Sequence, residues 1–260
     1  MVKDHKATGL VLENGHRIKA GTIISNADAH QTFEELIGSE HVPGRYMKKL
    51  QEMVPSLSAF VVYLACDLDM ARLAAGHEMF FYRSWDHERT YGSILQGKPA
   101  GVWLTVPTLI DSGLAPPNRH ILTVTSLIPY EICASWREEK SRYAEALLQE
   151  LMAVFPDLDS HIVFAEGASP RTMERYTLNL TGSIYGWQVS PDQVGKNRLP
   201  AQTPIEGLYL AGHWTQPGGG IYGVIVSGVR TAQTVLGLVT TDKLFAALER
   251  RPPNYTAVPC

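Results

Sequence analysis

A chain of 260 residues with 45% hydrophobic and 19% charged residues has the make-up of a folded protein of one large domain or two modest ones. Its formal net charge of −3 excludes a general attraction to nucleic acid or to an anionic bilayer. Three widely spaced cysteines (Cys66, Cys133, Cys260) with no CxxC pair argue against a zinc knuckle or a disulfide framework, and fit a reducing, cytoplasmic setting with at most peripheral membrane contact. The opening Met-Val-Lys-Asp-His-Lys is too polar for a signal peptide, and no run approaches the roughly 18 apolar residues of a membrane span.

In chain order, Ala7 to Leu12 and Arg17 to Ala20 flank Asn14-Gly15, the strongest short-range hairpin signal because both residues tolerate positive φ. Thr22 to Ser25 is a β-branched strand, and Asn26-Ala27-Asp28 is a natural cap for a helix over Ala29 to Ile37. Gly44 to Met53 reads as helical and Pro55 ends it. Ser58 to Cys66 is a buried strand; Met79 to Tyr82, Val102 to Val106 and Ile121 to Leu127 are further strands. Helical spacing of Ala144, Leu147, Leu148, Leu151 and Val154 marks a helix over Tyr143 to Phe155. His161 to Ala165 is a strand, Thr172 to Tyr176 opens a short helix, and Asn179 to Pro204 is loop-rich. The chain closes with a strand over Leu208 to Ala211, a glycine turn, a helix from Ile221 to about Leu238, a short helix over Leu244 to Leu248, and a frayed tail from Arg250. The two ends have α/β character, whereas the middle strands lack regular βαβ spacing, so the middle reads as an insertion.

Gly218-Gly219-Gly220-Ile221-Tyr222-Gly223 satisfies GxGxxG, yet it is a poor dinucleotide fingerprint. Six residues, Gly212 to Pro217, separate it from its strand, the acidic residue in the expected window (Asp242) follows a helix, and too little chain remains for the rest of such a domain. One plain reading is a glycine-rich helix entry packed tightly on a strand.

The surrounding residues point further. TPIEGLYLAGHWTQPGGGIYGVIVSG, from Thr203 to Gly228, resembles the C-terminal flavin motif of the phytoene desaturase and carotenoid isomerase family, part of the FAD-dependent amine-oxidase-like group. LENGHRIKAGTIISNAD, from Leu12 to Asp28, resembles the hairpin and following strand of the same family. The resemblance implies an α/β plus α+β chain: the C-terminal part of a FAD-binding Rossmann-like domain with an inserted antiparallel-sheet substrate domain, its helices on one face. Residues 1–40 would be the hairpin and strand of the flavin domain, 41–180 the substrate domain, 181–250 the return to the flavin domain, and 251–260 a tail. The N-terminal GxGxxG that holds the FAD pyrophosphate in the family does not precede the hairpin here. A fragment, or one partner of a split enzyme that self-associates or pairs with an N-terminal half, is therefore expected.

By that resemblance the cofactor is FAD, and its contacts are Asn26, Ala27, Gly212, His213, Gly219, Gly220, Ile221, Tyr222, Gly223 and Val224. A helix starting at Ile221 would aim its free N–H groups and positive dipole end at the N1–C2=O edge of the flavin ring. Many relatives carry an acid after the first glycine; His213 stands there instead. Asn26 and Asp28 also suffice as plain helix caps. Most aromatics of the middle segment read as core, with Tyr185, Trp187 and Trp103 as candidate walls of an apolar substrate pocket. No catalytic side chain stands out. His77, His87, His120 and His161 lack metal-ligand spacing, and Ser227 lies outside GxSxG. The implied reaction is desaturation, saturation or isomerisation of an apolar isoprenoid-like alkene. Its rivals are a non-catalytic half that completes a flavin site on a partner, and a domain that binds no flavin.

Overall fold

The computed structural model describes residues 1–249; the expected tail and Cys260 lie outside them. In chain order the elements are Val2–Lys3 (β1), Lys6–Ala7 (β2), Gly9–Val11 (β3), Arg17–Lys19 (β4), Ile23–Ser25 (β5), a π-helix over Gln31–Gly38, Gly44–Glu52 (α1), Ser58–Cys66 (β6), Met70–Leu73 (α2), Glu78–Phe81 (β7), His87–Leu95 (α3), Val102–Thr105 (β8), His120–Ile128 (β9), Trp136–Met152 (α4), Ile162–Ala168 (β10), Pro170–Thr177 (α5), Leu208–Leu210 (β11), Ile221–Leu236 (α6) and Thr241–Glu249 (α7). They form two compact units, one of Met1–Ser56 with Tyr185 onward, the other Leu57–Ile184.

In the first unit the β3–β4 hairpin forms around Asn14, whose Oδ1 accepts the His16 N–H at 3.0 Å. β5 and β11 pair parallel, Ile23 opposite Leu208 and Ser25 opposite Leu210, although they lie far apart in sequence. Parallel pairing needs such a long connection, here the whole second unit. The core beneath them joins Ala29, Phe33, Met47, Leu50, Trp187, Leu199, Ile205, Leu208 and Trp214. α1 supplies Met47 and Leu50 to this core, so the unit runs on to Ser56 instead of ending at residue 40.

The second unit is a five-stranded sheet in the order β10-β6-β9-β8-β7, antiparallel throughout. Period-2 alternation sends Phe60, Val62 and Leu64 of β6, Leu122 and Val124 of β9, and Leu104 of β8 to one face, where Tyr143, Leu147 and Leu151 of α4 cover them. Burial of each large side chain contributes about 1.5–3 kcal/mol. The opposite face is not bare of helix as expected. Met173 of α5 packs there on Ala59, Val61 and Ala168. Beyond that corner the face opens, with Tyr63 and Phe80 exposed and Trp103 half-buried. The unit reaches Ile184, past the expected limit at 180, because Ser58 Oγ donates to Gly182 O (2.7 Å) and Ile184 N–H to Leu57 O (3.3 Å).

α4 begins seven residues before the expected start, because the first turns are polar and carry no apolar stripe beyond Trp136. α3 is an unforeseen helix, capped by Asp86, whose Oδ1 accepts the Arg89 N–H at 2.9 Å. No single helix among the described residues is long and apolar enough to cross a membrane.

Candidate functional site

The site grows from the carboxyl ends of the parallel pair, where ligands settle in open α/β sheets. Asn26 follows β5 and Gly212 follows β11, and Ala211 N–H donates to Ser25 O (2.9 Å) between them. Gly212 has φ +94°, and a Cβ there would sit 2.0 Å from Asn26 Oδ1. Only glycine lets the two strand ends come this close.

Helix α6 lies against this strand end through hydroxyls, not apolar side chains. Gly212 N–H donates to Ser227 Oγ (3.1 Å) and Thr231 Oγ1 donates to Leu210 O (2.8 Å). Ser227 is thus a fastener between helix and strand. The outward side of the helix is apolar, with Ile221 and Tyr222 both more than four-fifths exposed.

The glycine turn brings α6 in at close range. A Cβ at Gly219 would meet Tyr185 O at 2.7 Å, and one at Gly223 would meet Gly218 O at 2.6 Å. Gly220 takes φ +82° and ψ 155°, a conformation that non-glycine residues avoid. The helix ladder opens with Val224 N–H to Gly220 O (3.0 Å), so the amides of Ile221, Tyr222 and Gly223 have no intrahelical acceptor. They and the dipole present partial positive charge to an electron-rich ligand.

The other predicted contacts divide. Asp28 does the capping, its Oδ1 accepting the N–H groups of His30 (2.6 Å) and Gln31 (3.3 Å). Asn26 is exposed and is left beside the strand ends, and Ala27 is half-buried next to it. Both line a groove of about 260 Å³ with Ile23, Ile24, Leu36 and Leu208. His213 accepts from Arg198 through its backbone carbonyl at 2.5 Å. Val224 is half-buried in the first turn of α6.

Of the three candidate pocket walls, Tyr185 lies against the glycine turn, as its contact with Gly219 requires. Trp187 does not line a pocket. It is fully buried, donates Nε1–H to Trp214 O (2.9 Å) and stacks edge-on against Trp214 at 4.7 Å. A buried indole needs such an acceptor, and the core supplies it. Trp103 belongs to the second unit, on the open sheet face with Phe80 edge-on at 5.5 Å. It is absent from the walls of the 810 Å³ cavity of that unit, which Phe81, Tyr82, Trp85, Arg89 and Val102 help to form.

Sequence reasoning missed Arg198. Its side chain is 1% exposed, and it donates to four carbonyls: Gln193 (3.0 Å), Trp187 (2.8 Å), His213 (2.5 Å) and Tyr185 (3.4 Å). Its guanidinium carbon would lie 3.3 Å from a Cβ at Gly218. Burial lowers its pKa from the ordinary guanidinium value, but an arginine stays charged in a protein. Nothing in the loop-rich stretch around Asn197-Arg198 signals this, since buried arginines are rare.

The strand ends thus meet a glycine-rich turn, three amides without an intrahelical acceptor and a buried cation, and the carboxylate beside them, Asp28, is taken up in capping. This donor set suits an electron-rich ring, and the turn is open at Gly220, where a Cβ would meet nothing within 4 Å. The chain belongs to the flavin containing amine oxidoreductase family, whose pattern it matches over residues 8–236.

The chain is also similar to curated relatives. It is 31% identical over 259 residues to prolycopene isomerase, chloroplastic, of Arabidopsis thaliana, covering 96% of this chain and 42% of the relative. It is 28% identical over 245 residues to 4,4'-diaponeurosporene oxygenase of Staphylococcus haemolyticus (strain JCSC1435), covering 90% of this chain and 48% of the relative. The chain therefore spans less than half the length of these relatives. An oxidoreductase from Methanosarcina mazei shares the fold at TM-score 0.58 and 19% identity, over 91% of this chain and 47% of that one.

Proposed function

We propose that this chain forms the ring-binding part of a FAD-dependent oxidoreductase that acts on an extended, apolar, isoprenoid-like alkene. The observation that carries the reading is the meeting of Gly212 with Asn26 at the parallel strand ends, under the glycine-rich entry of α6. Bound there, the flavin supplies a carrier that takes up or returns a hydride, which accounts for a site without a side-chain base. The residues of this chain have the supporting roles. Gly212 and Gly219 let the strand end close on Asn26 and the turn close on Tyr185, Gly220 leaves the front of the turn open, and the amides of Ile221, Tyr222 and Gly223 would donate to the electron-rich edge.

The names of the relatives refer to prolycopene and 4,4'-diaponeurosporene, and a carotenoid-like polyene is the substrate class we carry over. Within the second unit, the open sheet face bearing Tyr63, Phe80 and Trp103 offers apolar surface for such a chain. Desaturation, saturation and isomerisation all fit this arrangement.

A second reading is favoured by one observation. β5 has a partner strand on one side only among the described residues, and Ile24 on it is 49% exposed. An unpaired parallel edge with apolar neighbours such as Leu10, Val11 and Leu36 invites another strand. In that reading the chain completes a flavin site with a partner that carries the N-terminal GxGxxG, or it self-associates.

The test is to record the visible spectrum of the purified chain with FAD, alone and after mixing with such an N-terminal half. Stoichiometric flavin on the chain alone supports the first reading and defeats the second; flavin only after mixing supports the second and keeps the ring-binding residues on this chain. No bound flavin in either preparation defeats both.

A further inference from the structure

Arg198 is a full positive charge, 1% exposed, set behind the glycine turn, and among the described residues it makes no salt bridge. Its hydrogen bonds reach backbone on three sides: Tyr185 and Trp187 before the loop, Gln193 within it, and His213 beside Gly212. A buried cation normally carries a carboxylate partner, because charge in a low-dielectric interior is costly to leave uncompensated. Four carbonyl dipoles accept from four of its five N–H groups here, but they do not neutralise the charge. A hydrophobic loop closure or a glutamine would latch the same segments without that cost.

We propose that Arg198 is a positioning residue with an electrostatic duty: it fixes the Tyr185–Trp187 and His213 backbones around the Gly218–Gly220 turn, and its retained charge favours the reduced, electron-richer form of the flavin held there. The inference rests on the flavin reading above. The sign follows from the geometry. The guanidinium lies against Gly218, on the same side as the positive end of the α6 dipole, so the two fields add. Water is excluded from the guanidinium, so the field is screened less than that of a surface charge.

The experiment compares Arg198→Met, which removes the charge and keeps much of the bulk, with Arg198→Lys, which keeps the charge and loses the four-way fork. Each is made in the preparation that holds flavin, and the ratio of reduced-flavin to oxidised-flavin affinity is read as the midpoint potential against a reference dye. Arg198→Met is expected to lower that ratio about tenfold, a fall of about 30 mV for a two-electron couple. Arg198→Lys should recover most of the ratio while its melting temperature falls with that of Arg198→Met.

A wild-type potential in both variants, with only their melting temperatures lowered, would overturn the electrostatic duty and leave a structural latch. If Arg198→Met does not fold, Arg198→Gln takes its place as the neutral variant: a tenfold fall in the ratio beside a near-wild-type Arg198→Lys upholds the proposal, and a ratio near wild type overturns it. Failure of every wild-type preparation to bind flavin would overturn the flavin reading, and this inference with it. A flavin-binding wild type with unmoved variants sinks this inference alone.

Discussion

Ser227 Oγ accepts the amide hydrogen of Gly212 at 3.1 Å, tying the second turn of α6 to the backbone just past β11. Both atoms are buried, so the amide has no water to fall back on. Ser227→Ala should therefore destabilise the first unit by about 1–3 kcal/mol, the cost of an unpaired buried N–H. Urea unfolding followed by a probe in that unit will measure it. A change below about 0.5 kcal/mol would mean that the amide finds another acceptor.

The approach of Gly212 to Asn26 makes a double-mutant prediction. Gly212→Ala introduces a Cβ against Asn26 Oδ1 and forces a positive φ on alanine, which together should cost about 2–4 kcal/mol and most of the flavin affinity. In an Asn26→Ala background the collision is gone and only the backbone strain, about 1–3 kcal/mol, should remain. Equal costs in the two backgrounds would show that the contact is immaterial.

Gly220→Val tests the turn by a different route. Space is open around a Cβ at this position, so the penalty is conformational: φ +82° with ψ 155° belongs to glycine. The helix entry should shift and flavin retention should be abolished, read as the ratio of visible to ultraviolet absorbance after gel filtration. Retention equal to wild type would count against the assigned turn.

The second unit offers a pH test. Burial pushes the Tyr143 phenol up to about 12. Its folded pKa lies above the unfolded value near 10, so this contribution is complete below about pH 10 and is lost as pH rises from there toward 12. Tyr143→Phe should leave stability at pH 7 within about 1 kcal/mol of wild type and flatten the alkaline decline. Melting temperatures between pH 8 and 11 will decide; identical alkaline slopes would refute it.

Much of this was legible from local pattern. Asn14-Gly15 between β-branched runs gave the hairpin, the alternation along Ile121 to Leu127 gave a central strand, and the glycines from Gly212 to Gly223 marked where backbone must come close. What escaped depended on residues distant in sequence. Trp187 reads like any aromatic near a motif until Trp214 O is seen to accept its indole N–H. Arg198 reads as a loop residue because the four carbonyls that hold it belong to scattered positions. The domain limit at Ser56 follows from where Met47 and Leu50 bury, not from any change in composition.

The tryptophans give the molecule a built-in division of optical signal. Trp187 and Trp214, both at or below 1% exposure, lie in the first unit directly behind the glycine turn, whereas Trp85 in the second unit is 95% exposed. Short-wavelength emission should thus come from Trp187 and Trp214 at the base of the ligand site together with Trp136 in the core of the second unit, and emission shifted to the red from Trp85. Quenching confined to the blue side of the spectrum would report occupancy of the site without a label.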